Sequence, residues 1–226
     1  MNTFARRAGA TLSATFLLTA LGGAGVSFAD GTEPDGSTVV NTAAPEAGDP
    51  ADTGLVDVPA DQVDQDPDIP GDGDGPGNDP HHPVCDYSKI YTPSSKGKDY
   101  QKAVGASQAN TNKSGHTAKS TFVAESTGTV GVSFSGSLST SVSVMIAKIE
   151  TKYDVTLSAS LTAKLGNSIS VDTPNKKTTH ATYGVYRLKA TGTSYHINTN
   201  CKASPKSTVV SYTPHWVGWY LWQSNA

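Results

Sequence analysis

The sequence predicts a mainly β protein: an antiparallel sheet or sandwich with one short helix, preceded by a disordered acidic N-terminal tail. Three observations predict it. From Lys119 onward, apolar residues alternate with Ser, Thr and Gly, and a period of two marks strands with one packed face. Between two such runs, Val142, Ile146, Ile149, Tyr153 and Leu157 follow helical spacing instead. And the stretch from Asp30 to Pro83 holds fourteen Asp and Glu, no Lys or Arg, and no Phe, Tyr or Trp. Such a segment cannot bury enough apolar surface to offset its ordering entropy.

Residues 1–29 read as a secretory signal. Arg6 and Arg7 open it, an apolar run follows, and small Ser27 and Ala29 precede the expected cleavage. The apolar run is interrupted by Thr and Ser, and no later segment reaches the ~20 apolar residues a membrane span needs. The expected location is therefore extracellular.

The tail, 30–83, contains one regularity. "DPDIPG" (Asp66–Gly71) is followed by "DGDGPG" (Asp72–Gly77), and both read D-x-D-x-P-G. A calcium loop also wants carboxylates at positions one and three, but it closes with a bidentate Glu at twelve. That Glu is missing, so no metal is expected here, and the repeat reads as a stiff acidic spacer. Upstream, Leu55, Val56, Val58, Val63 and Ile69 are set among aspartates. This mixture suits a ligand for a basic cleft, with Leu55, Val58, Asp61, Asp64, Asp66, Asp68, Asp72 and Asp74 as the contact residues. The target is either the protein's own basic domain or a separate secreted partner. A flexible chain of this length spans roughly 40 Å against a domain radius of gyration near ~15 Å, so both are within reach.

The domain, 84–226, carries six acids and fifteen bases. It opens at Cys85, and Cys201 is the only other cysteine. An exported chain favours a disulfide between them; two lone cysteines without CxxC spacing make a poor metal site. The segment Asp86–Ser120 is polar and basic and reads as loop or poor edge strand, with Tyr87, Ile90, Tyr91 and Tyr100 pinning its start. Then come "TVGVSFSGSLSTSVSV", a helix over 143–153 covering one face of the sheet, "VTLSASLTAKL", "SISVDT", and a long run with Tyr183, Val185, Arg187 and Lys189 on one face. The last runs are "STVVSYTP" and "WVGWYLW". Their aromatics plug the core, or else Trp216, Trp219 and Trp222 form a carbohydrate or membrane-interface patch, since Trp joins an apolar body to a polar edge.

No motif for catalysis stands out. P-loop, dinucleotide and HExxH patterns are absent, and "GVSFS" (Gly131–Ser135) lacks the closing Gly of a nucleophile elbow. The spacing of His116, His180, His196 and His215 against the six acids supports no dyad or triad. A non-enzymatic protein without cofactor is expected. The scattered Lys and Arg give only generic attraction to polyanions: anionic cell-wall polymers or membrane surfaces, and no specific nucleic acid.

"SVSVMIAKIETKYDVTLSASLTAKLGNSISVDTP", "ATYGVYRLKATGTSYHINTNC" and "YTPHWVGWYLW" resemble small secreted actinobacterial β-rich proteins. The acidic tail before a disulfide-closed β domain also resembles the adaptor subunit of antibacterial umbrella toxin particles. That resemblance implies a strap around Leu55–Asp79 that docks in a basic cleft of a secreted partner protein. The two Ser/Thr-rich alternating runs resemble the inserting hairpin of aerolysin-like pore formers, a second reading, with an enzyme of unknown type as a third.

Overall fold

The computed structural model describes residues 40–46, 55–65 and 85–226. The segment 1–29 read as a secretory signal and Asp66, Asp68, Asp72 and Asp74 lie outside the described residues. In chain order the strands are β1 (Val40–Asn41), β2 (Val56–Asp57), β3 (Ser88–Ala103), β4 (Gln108–Asn112), β5 (Ala118–Val123), β6 (Gly128–Gly131), β7 (Ser133–Ser135), β8 (Ser160–Ala163), β9 (Ser168–Thr173), β10 (Lys177–Ile197) and β11 (Ser207–Asn225), with one helix, α1 (Val142–Tyr153). The fold is mainly β with antiparallel pairing in the body.

Three long strands form its frame. β10 is central and pairs antiparallel with β11 on one side and with β3, then β4, on the other. β7 extends the sheet beyond β11 at Val210–Tyr212. Two short ladders, β5–β9 and β6–β8, stand apart. The disulfide joins Cys85, just ahead of β3, to Cys201 in the β10–β11 connection, across 116 residues. Closing a loop of that length stabilises by about 4–5 kcal/mol in the chain-entropy view.

Core is distributed unevenly along the two faces of β10. β10 runs without an inserted residue, so successive side chains alternate in face. Leu188 and Ala190 point to one face and pack with Val132, Met145, Ile149, Leu157 and Val209 under α1. Tyr183 and Val185 point to the other, under β6–β8, with Val130 and Ala163. Ala181 and Leu221 continue that second face under β5–β9. Each face of the ribbon is thus covered over about half its length, and the covered halves are on opposite sides. β11 keeps step through a bulge: Pro214 faces Arg187, Trp216 faces Tyr186, and His215 is the extra residue.

The helix forms where its spacing predicts. Ser141 caps it by accepting from the Val144 N–H at 3.5 Å, and Asp154 ends it in the left-handed region at φ 50°. Met145 and Ile149 are fully buried, each stabilising by about 1.5–3 kcal/mol.

Three readings need correction. Of the two readings of Asp86–Ser120, loop or poor edge strand, the second holds and the first does not: the segment supplies the 16-residue edge strand β3 as well as β4 and the start of β5. β3 pairs along one side only, with β10, and an edge strand is free to carry Lys89, Lys96, Lys98, Lys102 and Pro93, which hid it from the pattern. "VTLSASLTAKL" forms a strand only over Ser160–Ala163, because Val132 N–H bonds Ala159 O and Ser158 N–H bonds Pro214 O outside any ladder. The two C-terminal runs are one strand of 19 residues, joined through the bulge.

The tail also departs from a wholly unfolded chain. Its described stretches are seated on the body. β1 lies parallel to β11 at Leu221 and Trp222, and β2 lies antiparallel to β7. Val63 is buried in the core beneath α1, where its carbonyl accepts from Ser143 N–H at 3.1 Å. Three aliphatic residues, Val40, Val58 and Val63, are enough to anchor a chain whose average composition is that of a disordered segment.

Candidate functional site

Where the core leaves a half-face uncovered, the sequence has placed aromatic and basic side chains. There are two such half-faces, and a stretch of the tail meets each.

The first continues the Val185 face beyond the short ladders. Arg187 lies there with its guanidinium 5.2 Å from the Tyr212 ring centre, and Lys189 lies 5.7 Å from the same ring. Tyr100, opposite Arg187 on β3, meets Tyr212 edge-on at 5.4 Å. Arg187 Nη1 donates to Ser133 Oγ at 3.0 Å, and Ser133 donates in turn to the Asp57 carboxylate. Lys102 approaches the same carboxylate at 3.7 Å. Strand alternation explains the placement. Val56 and Val58 turn to the helix side, so Asp57 between them must turn to the basic side. The Ser133 hydrogen bond and the Lys102 and Arg187 charges hold the Asp57 carboxyl below its ordinary value. Burial pushes the Arg187 guanidinium down, against the Asp57 charge, yet an arginine remains cationic there.

The second half-face lies on the α1 side of the sheet, past the end of the helical core. Tyr186 and Trp216 stack there, centroids 3.7 Å apart and planes 8° apart. His180 and Trp222 stack at 4.9 Å, and Tyr220 sits beside Trp222. Trp216 leans over Gly218, where a Cβ would come within 2.4 Å of the indole, so only glycine fits beneath the ring. Gln101 Nε2 donates to Thr182 O and Gly218 O, both at 3.0 Å, and Trp216 Nε1 donates to Asp99 at 3.2 Å. Burial is the main cause that raises the Tyr186 hydroxyl well above its ordinary value. Residues 40–46 cross this half-face. Asn41 Nδ2 donates to Leu221 O at 3.0 Å, Tyr220 donates to Ala43 O at 3.4 Å, and Lys98 of β3 pairs with Glu46.

Of the residues expected to bind, Val58 packs against the core and Leu55 is half-buried, whereas Asp61 and Asp64 are exposed. Trp216 and Trp222 share the aromatic half-face. Trp219 does not: it turns inward against Tyr183 and donates to Asn167 at 2.7 Å. All three tryptophans follow the His215 bulge in one unbroken register, so the period of two puts Trp216 and Trp222 on one face and Trp219 on the other. Arg187, Ser133, Lys102 and Asp57 went unrecognised as a group. The one local signal was the V-D-V alternation at Val56–Val58.

The runs compared with a pore hairpin are distributed among β6, β7, α1 and β8. Among the described residues, no three His, Cys, Asp or Glu side chains gather to hold a metal ion, and no helix is long and apolar enough to cross a membrane. Comparison with known protein families and with curated proteins finds no match to this chain.

Proposed function

We propose that the protein is a secreted, non-enzymatic adaptor: a disulfide-closed body that seats part of its own acidic tail and offers the rest to a partner with a basic cleft. One observation carries the reading. The stretch 55–65 is fastened by Val58, Val63 and Asp57, while Asp61 and Asp64 stand in solvent immediately before the acidic repeat. A strap anchored at one point and anionic beyond it favours fast, electrostatically steered docking. The disulfide suits an extracellular setting. A secreted antibacterial toxin complex is the assembly in which such an adaptor would serve.

The test is co-purification from native culture supernatant with a variant in which Asp61, Asp64, Asp66, Asp68, Asp72 and Asp74 become Asn. The wild-type chain should carry a partner that elutes with moderate salt. The variant should keep its melting temperature and lose the partner; a partner retained at full yield would sink the reading.

A further inference from the structure

We infer that the Trp216–Trp222 half-face is a second docking surface, one that takes an extended acidic peptide laid along β11, and that residues 40–46 are its resident occupant. Three features point to that chemistry. β11 offers backbone groups to an added strand, and β1 already uses them at Leu221 and Trp222 in parallel register. Adding a strand to a sheet edge gives affinity through the main chain and leaves specificity to flanking side chains. The flanking groups are those an extended acidic segment needs. Asn41 and Ala43 meet Leu221 and Tyr220, and five residues past the β1 strand Lys98 receives the Glu46 carboxylate. The rings of Tyr186, Trp216, His180 and Trp222 stack on one another in pairs, and rings that hold each other in place lower the ordering cost of binding.

The resident occupant is held weakly. Its ladder is two residues long, and the Lys98–Glu46 pair is exposed, 60% and 67% by side chain; exposed pairs contribute little. It stays because the tether keeps it at an effective concentration on the order of millimolar. A partner segment with a longer ladder would displace it. This surface is separate from the exposed carboxylates assigned to partner docking above, so the two readings stand or fall by different measurements.

The test uses full-length protein and a fluorescein-labelled peptide with the sequence of residues 38–48, followed by anisotropy. Wild type should bind it weakly, because its own stretch competes. N41P/E46K removes the Asn41 backbone N–H, its side-chain amide and the Glu46 carboxylate, and should bind the peptide at least tenfold more tightly with an unchanged melting temperature. Adding K98E should reverse the gain, and a peptide carrying Lys in place of its Glu should restore binding to the K98E form. Equal binding by wild type and N41P/E46K would overturn the inference. So would quenching of the tryptophans by a neutral oligosaccharide such as cellohexaose, with no response to the peptide; that would make the rings a sugar platform.

Discussion

The two seated stretches of the tail have similar composition but differ in depth. Residues 55–65 end in Val63, which is 8% exposed and lies in the main core beneath α1. Residues 40–46 place only Val40 against the body's apolar packing, and it is half-buried. The first stretch is part of the fold; the second rests on it. The difference shows that a net-acidic, aromatic-free segment does not behave uniformly. One aliphatic side chain in the right cavity outweighs its neighbours' preference for water, since burying a valine fully is worth about 1.5–3 kcal/mol.

Removing the disulfide tests the frame both stretches depend on. C85S/C201S should cost up to about 4–5 kcal/mol, measured by denaturant unfolding; a loss near zero would mean the β10–β11 connection and the start of β3 are held by packing alone. Next, V63D should destabilise by about 3–4 kcal/mol, because it leaves a carboxylate unpaired in the core. V40D should cost less than about 1 kcal/mol. Equal losses would erase the distinction between the stretches. R187A should cost about 2 kcal/mol by stripping the cation from Tyr212 and the donor from Ser133, and R187K should recover only part of it.

pH separates the stretches with opposite signs. The Asp57 carboxyl is lowered in the folded state, so its contribution is present above about pH 4 and is lost as pH falls below 3.8 through the folded value. Lys98 is raised, chiefly by its hydrogen bond to Glu46, so its contribution is present below pH 10.5 and is lost as pH rises through the folded value. Hydrogen exchange should show Val58 N–H, bonded to Val132 O at 2.9 Å, losing protection in acid but not in D57N. The smallest effect belongs to K98A. It should leave the melting temperature unchanged within error and abolish the alkaline change in tryptophan fluorescence that accompanies release of 40–46. The alkaline range must be read against Tyr91, whose hydroxyl burial pushes up to about 12.

Much of the fold was legible. The helix follows from the spacing of Val142, Ile146, Ile149 and Tyr153, and the disulfide from two lone cysteines in a chain read as exported. The face bearing Tyr183, Val185, Arg187 and Lys189 follows from alternation alone. β3 was legible only as one of two alternatives, because an edge strand can be as polar and basic as a loop. The site was half legible. Trp216 and Trp222 were in view, and alternation separates them from Trp219, but the phase of this run against Tyr212 depends on His215, a single inserted residue that no local propensity marks.

By itself, then, the chain determined its charge division, its strand period, its one helix and its cross-link. These are properties of neighbouring residues and composition, and they act before any distant contact forms. Tertiary structure alone decided that the covered halves of the ribbon lie on opposite sides, and that Arg187 and Asp57, 130 positions apart, share a serine. It also decided which valine of an acidic segment would be buried. Those outcomes rest on long-range register and on the space left beneath a helix, and neither is written in any short window of sequence.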